Sequence, residues 1–243
     1  MMDREIEVFL TAFNEGKSIA ETIYGCLAEL EKIGLTHSVT VVDNASTDNS
    51  KKIVEQEFKS YPNVSFSTLG INYGYSISVA KSISFSSARY CIIMDADGQF
   101  SPNCFKDLIS RIDTGADLVF GSRKNRVGDL RRKFGSILFL KLARIMLKFD
   151  GPDINAGIRA VSVNYRNGFK GAQRGRLANP NLWFQAKKNG FKVDYVSIVP
   201  RNRKAGSTSL PWSSPMRLTR ESIDELYRIK KGEFDFVLGG LSL

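Results

Sequence analysis

Apolar and β-branched residues gather in short runs through the first half of the chain: IEVFLT (6–11), SVTVVD (38–43), NVSFST (63–68), YCIIM (90–94) and ADLVFG (116–121). Each run has the length and composition of a buried strand, bounded by polar or turn-forming residues. Between them lie segments of helical period, such as SIAETIYGCLAELEKIG (18–34) and SKKIVEQEF (50–58). Strands alternating with helices predict an α/β fold, a mostly parallel sheet with helices on both faces. In such sheets ligands bind beyond the carboxyl ends of the strands, and that is where these runs deliver their polar residues.

Three deliveries carry chemistry. The first strand ends in TAFNEG (11–16), the second in DNASTDNS (43–50) and the fourth in DADGQ (95–99). Ser46 to Asp48 can cap the following helix, which leaves Asp43 at the strand tip. Ser101 followed by Pro102 is an N-cap and first-turn signal, so the loop from Asp95 to Phe100 is short and held at both ends. Asp95, Asp97 and Gln99 then form a cluster of hard oxygens suited to Mg²⁺ or Mn²⁺; the competing reading is a pair of solvated turn carboxylates. Neither a GxGxxG nor a GxxxxGK[ST] stretch is present, which argues against a dinucleotide oxidoreductase or a P-loop NTPase.

Composition narrows the field. With 243 residues, 42% of them apolar, the chain can bury a large core, and one domain is expected because no linker, repeat or low-complexity block divides it. Cys26, Cys91 and Cys104 lack metal-ligand spacing and read as reduced core residues. The N-terminus lacks the basic and long apolar regions of a signal peptide, and no apolar run reaches the ~18 residues of a spanning helix; a cytosolic protein is expected. The net charge of +10 predicts an anionic partner: nucleic acid, anionic lipid or phosphorylated substrate. The segment 131–149, with six basic residues and no acid, sets Lys141, Arg144 and Lys148 on one helical face opposite a broad apolar surface, a pattern that fits a membrane interface as well as a core helix with a solvated edge. His37, the sole histidine, lies in a turn before the second strand and is not read as catalytic; Trp183 and Trp212 are assigned to packing.

Taken in order, TAFNE (11–15), VVDNASTDNS (41–50), NYGYS (72–76), MDADGQ (94–99) and GSR (121–123) resemble a family 2 glycosyltransferase of GT-A fold. DINAGIRA (153–160) and RNRKAGSTSL (201–210) are similar to segments of the dolichol- and polyprenyl-phosphate sugar synthases. The resemblance implies a Rossmann-like GT-A fold and an inverting transferase that uses a nucleotide-diphosphate sugar, a UDP- or GDP-sugar, with Mg²⁺ or Mn²⁺. It places Thr11, Phe13, Glu15, Asp43, Asn44, Asn72, Asp95, Ala96 and Asp97 around the donor, and Asp95, Asp97 and Gln99 on the metal. It further divides the chain into a nucleotide-sugar half (1–122), an acceptor half (123–215) and a C-terminal helix and tail (216–243). Departures from the family pattern include Thr11 for proline, Asn44 for a second aspartate, and Thr208 for lysine.

The acceptor is read from an omission. Transfer to a sugar hydroxyl needs a general base, yet between Asp153 and Asp194 the chain holds no Asp, Glu or His, only Arg159, Arg166, Lys170, Arg174, Arg176, Lys187, Lys188 and Lys192. A phosphate acceptor is already ionised at neutral pH and needs cations to hold it. Arg123, Arg132, Ser136 and Arg203 match the phosphate-binding positions of the polyprenyl-phosphate synthases, with Asp153 kept as a candidate base. The expectation is transfer to a polyprenyl phosphate at the cytoplasmic face of a membrane, by a peripherally bound enzyme in cell-envelope glycan synthesis. Transfer to a sugar hydroxyl, with Asp43, Asp153 or Asp194 as base, is the alternative. A nucleic-acid-binding module is disfavoured, because the strand-tip carboxylates would repel a phosphate backbone.

Overall fold

The computed structural model describes residues 4–123, 130–154, 156–201 and 215–237. The predicted strands form as β1 (Ile6–Ala12), β2 (His37–Asp43), β3 (Val64–Thr68), β4 (Tyr90–Asp95) and β5 (Leu118–Arg123), and β5 runs two residues beyond its expected end, so that Ser122 and Arg123 also sit on the strand. Helices α1 (Ile19–Ile33), α2 (Ser50–Glu57), α3 (Tyr75–Phe85) and α4 (Phe105–Asp113) alternate with them. A 3₁₀ turn over Pro102–Cys104, with Ser101 Oγ accepting from Asn103 N at its start, leads into α4.

The second half supplies α5 (Leu130–Leu147), β6 (Ile158–Val161), α6 (Val163–Gly168), β7 (Gly171–Ala172), α7 (Ala178–Lys188), β8 (Val193–Ile198), α8 (Pro215–Lys231) and β9 (Phe236–Val237). Seven strands make one sheet in the order β3-β2-β1-β4-β6-β5-β8. All its pairings are parallel except those of β6, which lies antiparallel between β4 and β5. The mixed, mostly parallel GT-A-type sheet expected above is the one observed. Neither β6 nor β8 stands out in the sequence, since β6 is four residues long and interrupts its apolar run with Arg159.

Alternation along the strands sends side chains to two cores. Ile6, Val8 and Leu10 of β1 pack with Ile19, Ile23 and Leu30 of α1 and with Phe105 and Leu108 of α4. Phe9, Cys91, Ile93 and Phe120 pack on the other face with Ile77 and Ile83 of α3, Ala143 and Leu147 of α5, and Leu182 and Trp183 of α7. All three cysteines are buried and free, and Trp183 is a core residue; Trp212 lies outside the described residues. Parallel register sets Thr11 opposite Asp95 and Ala12 opposite Asp43, which brings three polar strand ends to one edge of the sheet.

Candidate active site

At that edge Asp95 is the most heavily engaged group. Its Oδ1 accepts from the Thr11 hydroxyl at 3.2 Å and from the Tyr75 hydroxyl at 2.6 Å, and Arg159 Nη2 lies 3.7 Å away. Arg159 Nη2 also donates to the Tyr75 hydroxyl. Gly157 makes room for the other carboxylate oxygen: a methyl group on it would sit 1.9 Å from Asp95 Oδ2. Burial pushes the Asp95 carboxyl up to about 6, against the pull of the Arg159 charge, and neighbouring Asp97 adds to the rise. One edge of the group stays open, with 27% of its side chain exposed.

The loop beyond it is shaped by backbone chemistry. Asp97 Oδ1 accepts from Gln99 N at 2.9 Å, an Asx turn, and Gly98 at φ 73° takes the left-handed position the turn requires. Ala96 is buried and tied at both ends, its N–H donating to Thr11 O and its carbonyl accepting from the Ser18 and Thr22 hydroxyls. Arg201, following β8, donates its N–H to Gln99 O at 2.8 Å, so the segment after β8 starts at the carboxylate loop. Asp95, Asp97 and Gln99 thus share one short, anchored loop with oxygen donors only. Among the described residues no group of three or more His, Cys, Asp or Glu converges, so an ion held there would draw further oxygens from ligand or water. Carboxylate and amide oxygens suit a hard cation such as Mg²⁺ or Mn²⁺.

The other expected donor residues gather at the same edge, and many of them also build it. Asn14 Oδ1 accepts from Thr47 N and Asp48 N, while Asp48 Oδ2 accepts from Gly16 N, so the TAFNEG and STDNS loops are stitched to each other. Glu15 N donates to Ser50 Oγ, and Phe13 is half-buried beside it. Asp43, 3% exposed, accepts from Ser46 N at 3.1 Å and from the Thr68 hydroxyl at 3.1 Å; its carboxylate closes a loop. Asn44 Nδ2 donates to Asn72 Oδ1 at 2.8 Å, which also accepts from Gly74 N, and this pair sets the entry to α3.

On the acceptor side the structure departs from several expectations. Arg123 and Asp153 are partners: Nε and Nη2 reach the two carboxylate oxygens at 2.7 and 2.9 Å, and Asp153 is 2% exposed. A carboxylate already accepting a bidentate guanidinium is a poor general base, and Arg123 meets any acceptor as half of an ion pair. Asp194 pairs with Arg111 and aligns with Val119, near the start of β5, at the opposite end of the sheet. The cations after Asp153 do not form one patch. Arg166 binds Ser86 and the Ala88 carbonyl, Lys187 pairs with Asp150, and Arg176 pairs with Glu221. Arg159 is fully buried behind Asp95. Arg132 and Ser136 belong to α5, but their side chains, like all of Arg203, fall outside the described residues. Sequence reasoning missed Tyr75 and Gly157 as parts of the site and misplaced Arg159; the available signal was a lone arginine inside the apolar run of residues 156–161.

Comparison with known proteins follows the same lines. The chain is 31% identical over 203 residues to an uncharacterised protein of Methanocaldococcus jannaschii, covering 78% of this chain and 86% of that one. It is 23% identical to an uncharacterised glycosyltransferase of Bacillus subtilis, over 91% of this chain and 69% of the relative. An undecaprenyl-phosphate 4-deoxy-4-formamido-L-arabinose transferase of Salmonella paratyphi A is 30% identical over 65% of this chain, which spans about half (48%) of that protein. The fold superposes on glucosyl-3-phosphoglycerate synthase of Mycobacterium tuberculosis, solved with Mn²⁺, uridine diphosphate and glucosyl-3-phosphoglycerate, with a TM-score of 0.67 at 17% identity over 99% of this chain and 83% of that one. Residues 7–174 match the family model described as glycosyl transferase family 2, and the chain belongs to that family of glycosyltransferases.

Proposed function

We propose that this glycosyltransferase moves a sugar, with inversion, from a nucleotide-diphosphate sugar to a polyprenyl phosphate. The donor would lie across the tips of β1, β2 and β4, against Thr11, Phe13, Glu15, Asp43, Asn44, Asn72 and Ala96. Asp95, Asp97 and Gln99 would hold Mg²⁺ or Mn²⁺, which when bound offsets the charge developing on the departing diphosphate. What this chain itself provides is a fixed pair of carboxylates on a short loop and a floor of strand ends that keeps them in place.

The observation that favours a phosphate acceptor is the state of Asp153. Of the two candidate bases in the acceptor half, Asp153 is buried and bidentate with Arg123 and Asp194 pairs with Arg111 at the far end of the sheet, and a phosphate oxygen needs no base to become a nucleophile. The Salmonella relative, an undecaprenyl-phosphate sugar transferase by name, supports the same acceptor class; the Mycobacterium neighbour, crystallised with a glucosylated phosphoglycerate, keeps a hydroxyl acceptor in view. The test is product analysis with UDP- and GDP-sugars, Mn²⁺, and either a polyprenyl phosphate or a free sugar as acceptor. Acid-labile glycosyl-lipid phosphate is expected; a product formed only on a sugar hydroxyl would overturn the reading. Arg132→Ala is expected to raise the KM for polyprenyl phosphate about tenfold with unchanged nucleotide affinity, consistent with loss of one charge-assisted contact. Arg123→Ala is the poorer probe, since removing one partner of a buried pair costs about 3–5 kcal/mol and disturbs the fold as well.

A membrane-bound acceptor calls for a membrane-facing surface. Among the described residues no helix is long and apolar enough to span a bilayer. Helix α5 buries Ala143 and Leu147 and ends there, so Lys148, at φ 59°, lies just past the helical face expected to carry it; the outer face also differs from the expected separation of charge and apolar surface, since Ile137, Leu138 and Ile145 are exposed beside Lys141 and Arg144. Exposed apolar residues set among cations fit insertion at an anionic interface better than a solvated edge does. Reversing Lys141, Arg144 and Lys148 together is expected to weaken sedimentation with anionic liposomes by at least about a hundredfold, since loss of the three cations alone removes ~1 kcal/mol each. Unchanged partitioning would return α5 to a purely structural role.

A further inference from the structure

We propose that Arg159 and Tyr75 form a positioning relay that fixes the Asp95 carboxylate for the donor's metal ion, an inference that rests on the donor-site reading above. Arg159 is wholly buried and stands on β6 between Ile93 of β4 and Phe120 of β5. Its Nε and Nη1 have no hydrogen-bond partner among the described residues. Burying a guanidinium with two unsatisfied nitrogens is costly and incompletely repaid by a carboxylate at 3.7 Å and the hydroxyl and ring of Tyr75, so fold stability alone does not account for it.

Its direction does. A guanidinium has donors and no acceptor, so in its contact with Arg159 Nη2 the Tyr75 oxygen accepts. The Tyr75 proton is thereby turned onto Asp95 Oδ1, 2.6 Å away. With the Thr11 hydroxyl on the same oxygen, Oδ1 is held from β1 and α3, while β6 supplies the cation that orients the tyrosine. Oδ2 lies over Gly157. The carboxylate plane is fixed before any ligand arrives, the arrangement that partners of ligating groups provide in metal sites. Neither Arg159 nor Tyr75 needs to touch substrate to do this.

The test uses the whole chain and two probes, UDP and GDP, titrated calorimetrically with increasing Mn²⁺, together with the melting temperature of the ligand-free protein. For whichever nucleotide binds the wild type in a Mn²⁺-dependent way, Tyr75→Phe is expected to raise the half-saturating Mn²⁺ concentration at least tenfold while melting within a few degrees of wild type. Arg159→Lys, which keeps the charge and replaces the planar fork with a single ammonium group, is expected to do the same, and the double variant to be no worse than either single one, because both break one chain of contacts. A Tyr75→Phe protein with wild-type Mn²⁺ dependence would overturn the relay and leave the donor site standing, as would additive losses in the double variant. Metal-independent nucleotide binding by the wild type would overturn the donor-site reading, and the relay with it.

Discussion

In the Asp97→Ala protein, turnover of the nucleotide-diphosphate sugar in Mn²⁺ is expected to fall by a factor on the order of 10²–10³, the scale seen when one group stabilising transition-state charge is removed. Asp97 lies on the open loop beyond β4 and is half-exposed. It closes an Asx turn with Gln99 N, and loss of that hydrogen bond is expected to lower the melting temperature of the ligand-free protein by about 2–4 °C. Gln99→Ala should lose less, since the carbonyl that receives Arg201 N is retained. Rates near wild type in the Asp97→Ala protein, or full activity of the wild type in excess chelator, would refute a metal at this loop.

Gly157→Ala is expected to be nearly as damaging although it adds a single methyl group. That methyl would stand 1.9 Å from Asp95 Oδ2 and 2.6 Å from Phe100 Cε2, distances at which a neighbour must move. The Gly157 carbonyl also accepts from Asp95 N at 2.9 Å, so the backbone cannot retreat without loosening the strand end that carries the carboxylate. Overpacking of this kind costs about 1–3 kcal/mol of stability, whereas an ångström of misplacement at a reacting centre can cost about a hundredfold in rate. Kinetics and melting measured on the same preparation separate the two. A large drop in melting temperature with near-normal turnover per folded molecule would show that Asp95 tolerates displacement.

The strands β1 to β5, the helices between them and the carboxylate loop were legible from local pattern. Period-two and period-3.6 alternation, the Ser101-Pro102 start signal and two aspartates one residue apart are written within a few neighbouring positions. Polar residues at strand tips were legible as a site, but their division of labour was not. Asp43 read as a ligand group and Ser46 to Asp48 as helix caps, and in the fold these residues, with Asn14, join one loop to the next. Arg123 and Asp153 read as a phosphate ligand and a base, and the structure makes them each other's partner.

Composition and periodicity alone determined an α/β sheet with acidic chemistry at its carboxyl edge, because burial patterns are local and repeat along each element. Only the tertiary structure decided which side chains meet there. Inserting β6 antiparallel between β4 and β5 carries Arg159 beneath Tyr75, 84 residues earlier in the chain, and sets Gly157 against Asp95. Which strand lies beside which is governed by the packing of whole layers and the closure of long connections, and no short stretch of sequence records that choice.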